Sequence, residues 1–154
     1  MKTKALGVLA AMLFLGAISS FAADSIMGTW KLNESKSKIP AGATKNSTVT
    51  YAQDGDNTKV TIDGTGADGK PTHSEWTGKF DGKDYPVTGD SLSDTRSVKQ
   101  INDHTFAIVG KKDGKPVLTG KVVVAADGKT RTVTTTTTDS SGKKITSTAV
   151  YEKQ

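Results

Sequence analysis

Two arginines carry the side chains best suited to binding a charged ligand. Of the 21 lysine and arginine residues in the chain, only Arg96 and Arg131 are arginines. A guanidinium makes a planar, two-pronged contact with a carboxylate or phosphate that lysine cannot make. Each arginine stands two residues before a valine in a predicted strand. If those valines face inward, Arg96 and Arg131 also face inward and form an internal anion-binding pair.

The same arginines also suit a structural role. One would cover the ring of Trp30 by a cation–π contact, and the other would form a surface ion pair, for which Asp94 is a candidate partner. Because outward strand positions are occupied by threonines elsewhere in the chain, the pattern leaves both interpretations open.

His73 and Glu75 share one face of a predicted strand, and Asp63 lies on the strand before it. An imidazole beside carboxylates can hold a metal or transfer protons. The chain has 2 histidines and no cysteine, whereas metal sites usually need about four ligands. Trp76 occupies the opposite strand face, so His73 and Glu75 are expected to face water. With no Gly-x-Ser-x-Gly turn and no phosphate-binding loop, we expect no metal, no cofactor and no catalysis.

Apolar residues form the other candidate site. Phe106 and Ile108 share one strand face, and Trp76 points to the same side as Phe80 on its own strand. Tyr85 precedes a proline, and proline in a sheet is confined to edges or irregular positions. Residues 83–88 are therefore predicted to form a rim strand or a bulge that brings Tyr85 to the mouth of a site. These aromatic residues also serve as packing mass in a thin core.

Repeated Asp-Gly-Lys tripeptides are predicted to position these residues. They stand at 68–70, 81–83, 113–115 and 127–129. Asp-Gly suits the two positive-φ positions of a type I′ turn, which joins antiparallel strands. Neighbouring turns lie 13 residues apart (68 to 81) or 14 apart (113 to 127). This leaves arms of about ten residues, near the upper limit of ordinary strand length, and predicts an antiparallel meander.

Strand-like segments follow one another after residue 22, without helical periodicity. They are 28–33, 47–53, 57–64, 72–80, 83–88, 94–101, 104–111, 116–126, 129–138 and 143–152. Few large apolar residues are available, and a long meander leaves exposed edges, so an up-and-down β-barrel of eight to ten strands, closed by its first and last segments, is predicted. A flattened β-sandwich is the alternative. The irregular connection 34–46 is either a lid or a plain surface crossing.

The first 22 residues are typical of a signal peptide. Lys2 and Lys4 precede an uncharged apolar run, and Ser20-Phe21-Ala22 provides a cleavage site. We therefore expect residues 23–154 to be a single exported domain, periplasmic or extracellular, with no membrane span after cleavage. Removal of two lysines and no acid lowers the formal charge from +5 to +3. The scattered lysines argue against nucleic-acid binding, and we expect a monomer.

Gly28-Thr29-Trp30, at the start of this all-β chain, resembles the lipocalin and fatty-acid-binding-protein group. Further likeness at 28–33, 36–38, 81–89 and 149–154 resembles small secreted bacterial proteins of unassigned function, often described as lipocalin-like. The resemblance implies a calycin-type β-barrel in which Gly28 and Trp30 close one end, with a basic residue from the end of the chain near the tryptophan. The disulfide and C-terminal helix of lipocalins and the helical lid of fatty-acid-binding proteins have no counterpart.

These features predict an exported binding protein that holds a small apolar, amphiphilic or anionic ligand in or at the mouth of a barrel. The predicted ligand-binding residues are Arg96, Arg131, Trp76, Tyr85, Phe106 and Ile108. The alternative is an envelope or matrix interaction module whose barrel is filled by side chains. A large cavity lined by Trp76, Phe106 and Ile108 would favour binding, whereas a packed interior with an exposed apolar patch would favour the alternative.

Overall fold

One antiparallel sheet, closed on itself, forms the protein. The computed structural model describes residues 24–138 and 141–154, so the predicted signal peptide lies outside the described residues. Ten strands lie in the described residues: β1 Gly28–Leu32, β2 Lys45–Asp54, β3 Asn57–Thr65, β4 Pro71–Gly78, β5 Tyr85–Thr88, β6 Thr95–Asn102, β7 Thr105–Lys112, β8 Lys115–Val124, β9 Thr130–Thr138 and β10 Lys144–Lys153. Within these ranges no helix is long and apolar enough to cross a membrane.

Each strand pairs with its neighbours in the chain, and β1 closes the ring by pairing with β10. Trp30 lies opposite Lys153 on β10 and opposite Val49 on β2. The predicted up-and-down barrel is therefore confirmed, at the upper end of the expected strand number. The β-sandwich alternative is wrong, because pairing of the first strand with the last leaves one continuous sheet.

The core lies inside the barrel, where alternate residues of each strand meet. Trp30, Trp76 and Phe106 are the largest fully buried side chains, and Val122 and Val124 of β8 are also fully buried. The intervening residues of these strands point to water. Period-two alternation thus places the few large apolar residues of the chain in one cluster.

The Asp-Gly-Lys repeats mostly form a different turn from the one predicted. Oδ1 of Asp68, Asp81 and Asp127 accepts the backbone N–H of the lysine two residues on, at 3.1, 2.9 and 3.0 Å. In those repeats only the glycine has a positive φ, whereas both Asp113 and Gly114 do. The type I′ prediction is right at Asp113-Gly114 and wrong elsewhere, because an aspartate side chain that holds the turn leaves its own backbone in an ordinary conformation.

The barrel end that carries Asp24 and Gln154, the termini of the described part of the chain, is closed by the residues before β1. Ile26 is 1% exposed, and its carbonyl oxygen accepts a hydrogen bond of 2.8 Å from the indole N–H of Trp30. Ser25 reaches across to the β6–β7 turn, where its hydroxyl donates to the carbonyl oxygen of Asp103 at 2.7 Å. These contacts make the segment before β1 part of the barrel.

The opposite end is crossed by the β1–β2 connection, residues 33–44. Its first part follows β10, with a 3-10 turn at Glu34–Lys36 and a pair of backbone hydrogen bonds between Lys38 and Thr148 at 2.7 and 2.9 Å. Residues 39–44, here called the strap, have one backbone hydrogen bond, from the Ala43 N–H to the Pro40 carbonyl oxygen at 3.1 Å. Since that bond is internal, the strap is held over the barrel end by side-chain packing.

Candidate ligand-binding interior

Arg131 lies inside the barrel near the end with the termini. It is the second residue of β9, is 2% exposed, and pairs with Tyr151 of β10. Its guanidinium carbon is 5.0 Å from the ring centroid of Trp30, 5.0 Å from that of Tyr51 and 4.7 Å from that of Tyr151. Its Nη1 donates to the phenol oxygen of Tyr51 at 2.9 Å. Lys153, exposed at the end of β10, contacts the same tryptophan, with Nζ 5.3 Å from the ring centroid.

No carboxylate within the described residues forms an ion pair with Arg131. The compensation for its buried charge is therefore the electron-rich faces of three aromatic rings. Its Nε–H has no hydrogen-bond partner. Burial raises the pKa of Tyr151 to about 12, so this phenol stays neutral at physiological pH and donates to the carbonyl oxygen of Asn46 at 2.9 Å.

Arg96 also faces the interior, but its charge is compensated. It lies near the end crossed by the strap, and its Nη2 donates to Oδ2 of Asp90 at 2.8 Å, with exposures of 13% and 16% for the two side chains. The hydroxyl of buried Ser93 donates to the same oxygen at 2.6 Å. The expected partner was Asp94 on the surface. That expectation is wrong, because Asp94 instead accepts the backbone N–H of Asp113 at 2.9 Å.

An apolar cavity of about 50 Å³ lies inside the barrel. Trp76, Phe106 and Ile108, all predicted to line a site, form part of its wall together with Arg96. The remaining wall comes from Ile26, Tyr51, Val60, Ile62, Val98 and Val122. Nε of Arg96 is buried and has no hydrogen-bond partner. The arrangement combines aromatic and aliphatic walls with one charged side chain, and small-molecule sites are usually built from such a mixture.

A polar cavity of about 40 Å³ lies under the strap. Its wall combines Thr44, Asn46, Thr135 and Ser147 with Ile39, Val133, Ala149 and Tyr151. Thr135 and Ser147 alternate with outward residues on β9 and β10, so their hydroxyls point into the barrel. Ile39 comes from the strap and packs against the core, which closes this cavity towards the barrel end.

Tyr85 lies on the short strand β5, which pairs with β4 and β6 through two residue pairs each. Its ring meets that of Trp76 edge to face, with centroids 5.8 Å apart, and its hydroxyl donates to the Asp81 carboxylate at 3.0 Å. Partial burial of the ring raises the pKa of Tyr85. The side chain contacts the aromatic cluster behind the apolar cavity and is not part of the cavity wall.

His73, Glu75 and Asp63 meet on the outer face of the barrel. Nδ1 of His73 is 2.7 Å from Oδ1 of Asp63, and this hydrogen bond raises the pKa of the imidazole. Lys59 bonds Glu75 at 2.8 Å and lowers the pKa of that carboxyl. No metal-binding group of three or more histidine, cysteine or acidic residues occurs in the described ranges. The cluster is an exposed charge network.

Sequence reasoning missed Asp90 and the lining of the polar cavity. The signal for Asp90 was weak, because it stands in a turn among many other aspartates. Thr135 and Ser147 lie in threonine- and serine-rich strands where inward and outward residues are of the same type. Which of these residues face inward is seen only from the pairing of β9 with β10, in which Thr135 lies opposite Ser147.

No family model and no curated protein sequence matches the chain. Among solved structures, EF1p2_mFAP2b bound to DFHBI is similar to it with a TM-score of 0.52 and 10% identity, over 86% of this chain and 97% of that one. A redesigned β-barrel, mFAP1, bound to DFHBI, gives a TM-score of 0.46 and 18% identity over 87% and 100%. The first likeness shows a shared barrel fold. The fold agrees with the resemblance to lipocalin-type barrels, and membership of the small secreted bacterial set stays a prediction.

Proposed function

We propose that this protein is an exported binding protein that holds a small apolar or amphiphilic ligand inside its barrel, without catalysis. The observation that carries the proposal is the apolar cavity, whose wall joins Trp76, Phe106 and Ile108 to the side chain of Arg96. Export rests on the signal-peptide pattern of residues 1–22.

The volume of the cavity limits the size of the ligand. Sites for drug-sized molecules measure about 300–1,000 Å³, whereas the apolar cavity measures about 50 Å³. Since one water-sized group needs roughly 10–15 Å³ by this measure, the cavity has room for about four such groups. A larger ligand would have to displace wall residues or the strap.

The small cavities also favour a second candidate, an envelope or matrix interaction module with a filled barrel. Its binding surface would need exposed apolar residues. Leu92, Ile101 and Val123 are the exposed large apolar side chains among the described residues, at 38%, 56% and 40%. Leu92 lies in the β5–β6 turn, at the opposite end of β6 from Ile101, so these two side chains do not belong to one continuous patch.

Native mass spectrometry of the protein purified from its own host envelope tests the proposal. We expect a small molecule to co-purify and to be released on denaturation. Ile108→Phe should fill the apolar cavity and abolish co-purification. Ile101→Phe, the same substitution at an exposed position of the outer face, is the matched control and should retain it. Wild-type protein free of any bound small molecule would favour the interaction module instead.

A further inference from the structure

The polar cavity contains hydrogen-bonding groups that the protein itself does not use. Within the described residues, the hydroxyls of half-buried Thr135 and Ser147 and the side-chain amide of half-buried Asn46 bond no protein group. Interior polar groups nearly always have a partner, which is protein or ordered water. These three groups, all uncharged, are therefore available to water or to a bound molecule.

The charges of the interior do not favour an anionic ligand. Arg96 borders the apolar cavity but already holds the carboxylate of Asp90 at 2.8 Å. Arg131 borders neither cavity, because the rings of Tyr51 and Tyr151 stand between its guanidinium and the cavity walls they form. A carboxylate entering either cavity would lose its hydration and gain no uncompensated positive charge.

The two cavities lie side by side in the barrel. Val122 of β8 lines the apolar cavity, Val133 of β9 lines the polar cavity, and these two valines are directly paired across the strands. Strands paired in this way lie about 4.8 Å apart. A molecule of a few carbon atoms with one polar head is long enough to span this distance.

We infer that the ligand is a small uncharged amphiphile, whose alcohol or amide head lies in the polar cavity and whose carbon chain lies in the apolar cavity. This inference rests on the proposed function and specifies its ligand class. The head exchanges hydrogen bonds with Thr135, Ser147 and their neighbours, and Ile39 of the strap covers it. The carbon chain of the ligand packs against Trp76 and Phe106.

A series of four-carbon probes with matched chains tests the inference: 1-butanol, butanamide and butyrate. Each is titrated at millimolar concentrations into the full exported domain, and binding is followed by backbone amide chemical shifts in NMR spectra. We expect the two uncharged probes to bind at least about tenfold more tightly than butyrate. The shifts should be largest at Thr135 and Ser147 and near Trp76.

Single substitutions locate the head group. Ser147→Ala and Thr135→Val each remove a hydroxyl, and each should weaken butanamide binding by roughly three- to tenfold, the effect of one net hydrogen bond. Thr134→Val is the matched control, since Thr134 lies beside Thr135 but is exposed on the outer face. It should leave binding unchanged. If Thr135→Val perturbs the fold, seen as a changed amide spectrum without ligand, Ser147→Ala alone decides.

Other outcomes separate this inference from the proposed function. Butyrate binding most tightly, with binding lost in Arg96→Met and unaffected by Ser147→Ala, would overturn the uncharged ligand class and leave the proposed function standing. Failure of all three probes to bind, together with wild-type protein that co-purifies with nothing, would overturn both.

Discussion

Replacement of Arg131 tests whether aromatic rings alone compensate the buried charge at the closed end of the barrel. Arg131→Lys keeps a positive charge, and Arg131→Met keeps a similar length without charge. Because no carboxylate of residues 24–138 or 141–154 pairs with Arg131, we expect the lysine variant to be the less stable of the two. That order is the reverse of what conservation of charge would suggest.

The expected free energies of unfolding follow from the contacts of Arg131. Its guanidinium lies about 5 Å from the rings of Trp30, Tyr51 and Tyr151, and such contacts contribute about 0.5–2 kcal/mol each. Methionine loses them but also removes the burial cost of a charge, several kcal/mol, so a net loss of about 1–2 kcal/mol is expected. Lysine keeps that cost, is more strongly hydrated and cannot stack as a plane. We expect it to lose about 3–4 kcal/mol.

Denaturant unfolding followed by tryptophan fluorescence and circular dichroism measures these values. Lys153→Met is the control, because Lys153 contacts the same Trp30 ring from an exposed position, and it should change stability by less than about 0.5 kcal/mol. The loss of stability caused by Arg131→Lys should become smaller as pH rises, since a buried lysine releases its proton more readily than a free one. A methionine variant less stable than the lysine variant would refute the reasoning and indicate that an anion partner is bound at Arg131.

Three further predictions concern titration and backbone fit. Burial raises the pKa of Tyr151 from its ordinary value near 10 to about 12. The free energy of unfolding should therefore fall by about 2–3 kcal/mol as pH rises from about 10 to about 12. Phenolate absorbance that shows Tyr151 ionised at pH 10 would contradict this. The hydrogen bond that His73 donates to the Asp63 carboxylate raises the pKa of the imidazole. The stability that this bond contributes is therefore full below the unfolded pKa near 6.5 and is lost as pH rises through the folded pKa. Asp63→Asn should lower that pKa in NMR titration, and an unchanged value would disprove the pairing. Gly89 has a φ of +73°, and a Cβ there would collide with the carbonyl oxygen of His73, so Gly89→Ala should lower the free energy of unfolding by at least about 3 kcal/mol. Gly128 has a similar φ of +69° but open space around it, so Gly128→Ala should lower it by about 1–2 kcal/mol. Equal losses in the two variants would refute the collision.

The strands and their closure were predictable because they depend on local signals. Alternation of apolar and polar residues marks the inward face of β3 at Val60 and Ile62 and of β7 at Phe106 and Ile108, and both pairs do lie inside. Turn residues fix where each strand ends. The inward orientation of Arg96 and Arg131 follows from the same alternation, since each shares a face with an inward valine.

Which groups meet inside the barrel was not predictable in the same way. Arg96 meets Asp90 because the β5–β6 turn folds back over the strand that follows it, and nothing in the composition of that turn distinguishes Asp90 from Asp94. The contact of Arg131 with Tyr51 joins residues 80 positions apart, and depends on the tilt of strands around the whole ring. Side-chain alternation places residues on a face, whereas only the three-dimensional register decides their partners.

The choice between a binding barrel and a filled barrel depends on the residues that the chain places inside. Barrel diameter grows with strand number, and about eight strands enclose an interior that side chains can just fill. The ten described strands enclose more space than that. In addition, several inward positions carry small residues, such as Thr135 and Ser147, which leave part of this space unfilled. Trp30 and Arg131 fill the end with the termini, so the unfilled volume lies above them and under the strap. A sequence that needed only a filled barrel could place leucine or isoleucine at Thr135 and Ser147, because burying those side chains would add stability. The hydroxyls at these two positions bond no protein group, and they are the groups that the proposed ligand would use.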